Sequence, residues 1–286
     1  MKRTIPIAIA VVLTVLALAV VSIPELRLEV LGTSMSMRLA PGSVHRVGVK
    51  LSLETGQEIR GKDSPEEPTP FQEDHQAGFI LEETVKQTEG EPTFSYRVTE
   101  LQSEQWEWSR GQVGGSRFDL RLFPNGLPAG LDKSVPSESA LTSDTVLVPL
   151  FAMLWPRLPD GLVKAGGRQW NGQYPVNIEL LGQKITLEEN LSYNIEKFTP
   201  MGGRSVAATQ CVGTIRHRSE VAEADGKIKA VCLIDPETGH GVGADYRVET
   251  VVKVNLPDSP EYRWVEGQSV QIWRVPDGTV EAQPTP

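Results

Sequence analysis

The residues best equipped for chemistry in this 286-residue chain are four histidines, two cysteines and a few aromatic side chains. His240 has the most functional groups near it in sequence, with Asp235 and Glu237 before it and Asp245 after it. Oxygen ligands gathered in a turn can hold a hard cation. Asp235 and His240 are also the weak candidates for a hydrolytic site assembled from distant residues. Asp235-Pro236-Glu237-Thr238-Gly239 is, however, a good hairpin turn by its residue types, and that reading accounts for the cluster better. The other histidines are scattered: His45 begins an extended stretch, His75 lies in a polar segment, and His217 stands between Arg216 and Arg218. The chain has no His-Glu-x-x-His run, no Gly-x-Ser-x-Gly elbow and no phosphate-binding glycine loop. Gly239, Gly241 and Gly243 alternate like part of a dinucleotide loop, but a strand pattern follows where that loop needs a helix. The expectation is no catalytic residue, no metal ligand and no cofactor.

Cys211 and Cys232 flank the polar segment from Ser219 to Gly226. If the flanking stretches form a hairpin centred there, the two cysteines face each other and form a disulfide, which persists in an oxidising compartment. Closing a ring of about 20 residues stabilises a fold by roughly 3 kcal/mol. The spacing of a thiolate metal clamp is absent. Trp106 and Trp108 share one face around Glu107 and are weak candidates for stacking on a sugar or lipid; packing within a sheet is their commoner role. Asn190-Leu191-Ser192 fits a glycosylation acceptor, a pattern that recurs by chance.

Alternating apolar residues must position these groups. Val47, Val49, Leu51 and Leu53 read as a strand with one buried face, as do Phe79, Leu81 and Val85, then Phe94, Tyr96 and Val98, then Phe118, Leu120 and Leu122. The same grammar returns in Val176, Ile178 and Leu180, and in Leu191, Tyr193 and Ile195. Its longest row runs Tyr246, Val248, Thr250, Val252 and Val254. Between these sets, Leu147, Leu150, Phe151, Leu154 and Trp155 keep the period of one helical face. Pro149 is tolerated in a first turn, which puts the helix start near Thr145 to Val148. Gly61 to Gly78, rich in Pro and Glu, reads as a mobile loop, and Leu127 to Thr145, where Ser and Pro are frequent, reads as loop-like.

The predicted fold class is mainly β: two antiparallel β-rich halves, as sheets or partly open barrels, joined by a short helix. The expected divisions are 1–27, an N-terminal signal anchor or signal peptide; 28–145, the first half; 146–170, the joint; 171–275, the second half; and 276–286, a polar tail. A faint repeat, a strand running into a Pro-and-Gly turn late in each half, fits duplication and ordinary hairpin grammar about equally well.

Lys2-Arg3 precede an apolar run from Ile5 to Ile23, about 19 residues against the roughly 20 that span a bilayer. Basic residues ahead of such a run send the remainder across the membrane. Ala17-Leu18-Ala19 offers a cleavage site, so the expected location is the cell membrane with the bulk outside the cytoplasm, or secretion after a cut. Net charge is −9 with no clustered Lys and Arg, which argues against nucleic acid as a partner.

Leu158-Pro159-Asp160-Gly161-Leu162-Val163-Lys164-Ala165-Gly166-Gly167-Arg168-Gln169-Trp170 resembles a segment found between two β-rich halves in exported bacterial proteins of unknown function. Gly167 stands where those proteins often carry Asp. The resemblance implies an exported β-rich protein and brings no activity. The sequence therefore points to a non-enzymatic extracytoplasmic protein that binds an envelope component or partner protein. An envelope hydrolase and a carrier of a small apolar ligand are the alternatives.

Overall fold

The computed structural model describes residues 23–60, 71–87, 90–104, 115–135, 141, 144–255 and 261–275. In chain order these form α1 (Pro24–Leu31), β1 (Thr33–Ser34), β2 (Val44–Arg60), β3 (Phe71–Gln87), β4 (Thr93–Glu104), β5 (Arg117–Leu122) and β6 (Pro128–Ser134). Helix α2 (Asp144–Leu154) follows, then β7 (Leu162–Val163), β8 (Trp170–Leu180), β9 (Gln183–Met201) and β10 (Arg204–Arg218). The order ends with β11 (Ala222–Ile234), β12 (Gly241–Val254) and β13 (Glu261–Val275).

Eleven strands make one antiparallel sheet in the order β6-β5-β4-β3-β2-β13-β12-β11-β10-β9-β8. The two expected halves are thus not separate sheets. β13, the last strand, pairs with β2 from Glu261 opposite Arg60 to Val275 opposite Arg46, which joins both sides of the helix into one curved, nearly closed barrel-like surface. Alternation dictates the pleat. On β9, Leu187, Leu191 and Tyr193 are buried while Glu188 and Asn190 face out.

Helix α2 occupies the concave side, where it packs against β8, β12 and β13. Val146, Leu147 and all residues from Pro149 to Leu154 are buried, as befits a helix apolar on every side. Phe151 meets Tyr96 of β4 at 4.9 Å and Phe118 of β5 at 6.1 Å between ring centroids, and Trp155 meets Phe94 at 4.2 Å. The helix begins at Asp144, earlier than its proline implies. Pro149 lies inside it and withdraws the N–H that the Thr145 carbonyl would otherwise receive. Gly241 opens β12 against the end of α2: any Cβ there would overlap the Met153 carbonyl, so only glycine allows this approach.

Asp144 also ties the two sheet edges. Its carboxylate pairs with Lys133 on β6 and accepts from Asn177 Nδ2 on β8 at 3.3 Å. Beyond the other end of α2, the small β1–β7 sheet contributes Val163 to a second apolar cluster, with Met35, Leu158, Phe198 and Ile234.

Three sequence expectations are corrected by register and pairing. The β10–β11 hairpin turns between Glu220 and Val221, one residue before the midpoint of the cysteines. Cys211 therefore faces Ala230 and Cys232 faces Thr209. The thiols are diagonal neighbours, a poor geometry for bridging, and both are free and buried; the Cys232 thiol donates to the Met153 carbonyl at 3.4 Å. Strand β3 begins at Phe71, inside the stretch expected to be a mobile loop, so His75 lies in a strand opposite Leu53; residues 61–70 of that stretch lie outside the described residues. Part of the loop-like stretch after Leu127 is β6, the edge strand beside β5. Among the described residues no helix is long and apolar enough to cross a membrane. The apolar N-terminal run lies outside the described residues except for Ile23.

Candidate functional site

On β13 the inward phase carries Tyr262, Glu266, Gln268, Val270 and Ile272, so an acid and an amide interrupt an apolar row. Glu266 is only 5% exposed. It lies opposite Thr250 on β12 and Thr55 on β2, and it takes a hydrogen bond from the Thr145 hydroxyl in the first turn of α2. Burial, partly offset by that hydrogen bond, pushes its carboxyl up to about 7.

Glu266 is not sealed away. It lines a pocket of about 790 Å³ at the N-terminal end of α2. The helix contributes Asp144 and Thr145, the β8–β9 hairpin contributes Asn177, Glu179, Lys184 and Thr186, and β13 adds the half-buried ring of Trp264. The rim is organised in advance: Thr186 Oγ1 donates to Asn177 Oδ1 at 2.9 Å while the same amide donates to Asp144. A pocket of this size with a few convergent polar groups and an aromatic face suits a small molecule.

A second buried acid stands deeper. Glu189 on β9 is fully buried; Tyr246 donates to its Oε1 at 3.0 Å, and its Oε2 has no partner. Burial raises this carboxyl to about 7, with the Tyr246 hydrogen bond opposing. The Tyr246 hydroxyl is pushed up first by burial, then by Glu189 and, more weakly, by Glu266, which places it electrostatically between the two acids. Gln268, two residues beyond Glu266, is 4% exposed with neither amide atom partnered. Burial thus raises two inward carboxyls to about 7, and of these Glu266 is the one that lines the pocket.

Of the candidates read from sequence, Asp235 and His240 close one turn, the Asp235 N–H donating to the His240 carbonyl at 2.9 Å, but their side chains bind different groups. Asp235 is buried in its turn, where Oδ1 accepts from the Glu237 N–H at 2.9 Å and Oδ2 from Arg204 Nη1 at 3.1 Å. The His240 side chain turns instead to Glu83 Oε2 at 3.2 Å and lies 4.5 Å from the Trp155 ring. Tyr96 donates to the same Glu83 oxygen at 2.6 Å, and Trp155 Nε1 donates to Tyr96 at 2.6 Å. Burial alone would raise the Glu83 carboxyl; the His240 charge and hydrogen bond, helped by Tyr96, outweigh it and hold the carboxyl below its ordinary value. This network fastens the end of α2 to β3 and β4. His45 joins it loosely, 6.1 Å from His240 and hydrogen-bonded to Arg274 at 2.9 Å. Asp245 pairs with Arg247. Trp106 and Trp108 lie outside the described residues. Among the described residues no group of three or more His, Cys, Asp or Glu is placed to hold a metal ion.

Sequence reading passed over Glu83, Glu189 and Glu266. Their signal was phase: each is an acid at an inward position, between Leu81 and Val85, between Leu187 and Leu191, and between Tyr262 and Val270. No family model matches the chain, and no curated protein matches it.

Proposed function

We propose that this is a binding protein working outside the cytoplasm, not an enzyme, and that it holds a small polar ligand in the pocket at the N-terminal end of α2. The observation that carries the reading is Glu266. An acid buried in an apolar face is costly unless something compensates it, and a perturbed acid in a pocket is a recurrent mark of a working site. The sequence supports the address: Lys2-Arg3 before the Ile5–Ile23 run sends the following chain across a membrane, and the Leu158–Trp170 resemblance points the same way. Retention at the membrane through that run, or release after Ala19, are both compatible with this role.

The alternatives fare less well. Helix α2 occupies the concave side where an apolar cargo would sit, and the side chains of Asp235 and His240 bind different groups, which speaks against a hydrolytic pair. A thermal-shift panel of small amines, sugars, carboxylates and amino acids tests the proposal. At 100 times its dissociation constant, one chemical class should raise the midpoint of the full chain by roughly 5 °C or more, and the shift should vanish in Trp264→Ala. A panel without any shift, or one in which Trp264→Ala responds like the wild type, would overturn it.

A further inference from the structure

We infer that the pocket recognises an organic cation, a primary ammonium or guanidinium group seated between Glu266 and the ring of Trp264; this rests on the pocket being the ligand site. The charges lining the pocket divide unequally. Asp144 already has Lys133, and Glu179 lies directly across the β8–β9 ladder from Lys184. Glu266 has the Thr145 hydroxyl, and among the described residues no cation contributes to its electrostatics. A ligand ammonium would supply the missing countercharge. Trp264, two residues away on the same strand, lines the same pocket and offers the aromatic face on which cations settle.

The groups behind Glu266 point to the same chemistry. Glu189 Oε2 and Gln268 Oε1 are buried acceptors without partners, and Gln268, two residues along the same strand, places one of them beside Glu266. An anionic ligand would bring like charge beside an acid. A neutral ligand would leave that acid without a countercharge. Only a cation turns the cost of burying Glu266 into attraction.

Ionisation of Glu266 gives the inference a second readout. Around it, Asp144, Thr145, Glu179 and Lys184 line the same pocket, Thr250 on β12 and Thr55 on β2 flank it in the ladder, and Tyr246 on β12 feels its charge. With its carboxyl at about 7, Glu266 must lose a proton to pair with an ammonium at pH 6. Binding should therefore release a proton at that pH and tighten about tenfold between pH 6 and pH 8, a range over which the amine stays charged.

The test is calorimetric titration of the full chain in mild detergent with phenethylamine and butylamine, and with 2-phenylethanol and 3-phenylpropionate as neutral and anionic counterparts. The inference expects the amines to bind, more tightly at pH 8 than at pH 6, with proton uptake by the buffer at pH 6. It expects the alcohol and the acid to bind at least tenfold more weakly. Glu266→Gln should lose both the affinity and the pH dependence, and Trp264→Leu should lose affinity while keeping the pH dependence. Equal binding of the alcohol, preferred binding of the acid, or no binding of either amine would overturn it. If the thermal-shift panel meanwhile finds a neutral or anionic class that depends on Trp264, the pocket stands and only the cation is lost; an empty panel ends both.

Discussion

Glu189 is an acid that the folded chain keeps half-protonated at neutral pH, and its linkage to stability has a definite sign. Its carboxyl rises from an ordinary 4.5 to about 7, so the folded state holds the proton more tightly than the unfolded one. The contribution is favourable below 4.5 and is lost as pH rises to about 7. Glu189→Gln should therefore flatten the stability profile across that window and stabilise the protein at pH 8, by on the order of 3 kcal/mol at most. Urea unfolding at pH 5 and pH 8 measures it; a glutamine variant less stable than the wild type at pH 8 would refute this reading. Glu83 has the opposite sign, its carboxyl being held low despite burial by His240 and Tyr96. Its stabilisation is present above the ordinary carboxyl range and is lost as pH falls through the lowered value. His240→Ala should cost roughly 3 kcal/mol because a carboxylate is left in the core, and adding Glu83→Gln should recover part of that in urea unfolding. His240 was visible in the sequence as the most suggestive histidine, but its partner lies 157 positions away, across the sheet, and neighbouring residues gave no hint of it.

At the scale of elements, α2 is what the barrel is folded around. Leu150→Ala should lose about 2–5 kcal/mol in equilibrium unfolding, as truncations inside a packed core do. Gly241→Ala should cost about 1–3 kcal/mol in the same measurement through the clash with the Met153 carbonyl. The helix and most strands were legible because periodicity is a local property of the chain: Leu147, Leu150, Phe151 and Leu154 announce one element, and Tyr246 to Val254 another. Ladder register was less legible. A turn displaced by one residue moves every partner by two positions, which separated Cys211 from Cys232. Pro149 misled for a related reason: burial on all sides keeps α2 helical through a proline that an isolated helix would place in its first turn.

At the scale of the molecule, the sequence divides at the helix while the structure does not. β13 closes onto β2, so the last described strand completes a surface begun by the first long one; pairing at such separation has no local signature. On the other side, Asp144 reaches both Lys133 on β6 and Asn177 on β8. Asp144→Ala should loosen β6 and β8 and speed amide hydrogen exchange there while leaving β11 and β12 protected; uniform protection would argue against that role. The same residue borders the pocket. The most direct test of that site is fluorine NMR of the chain labelled with 5-fluorotryptophan, its six signals assigned by substitution, during titration with the panel compound giving the largest thermal shift. The Trp264 signal should move and saturate while Trp155, buried among Phe94, Tyr96 and His240, stays in place. A fixed Trp264 signal, with other tryptophans responding, would contradict the account.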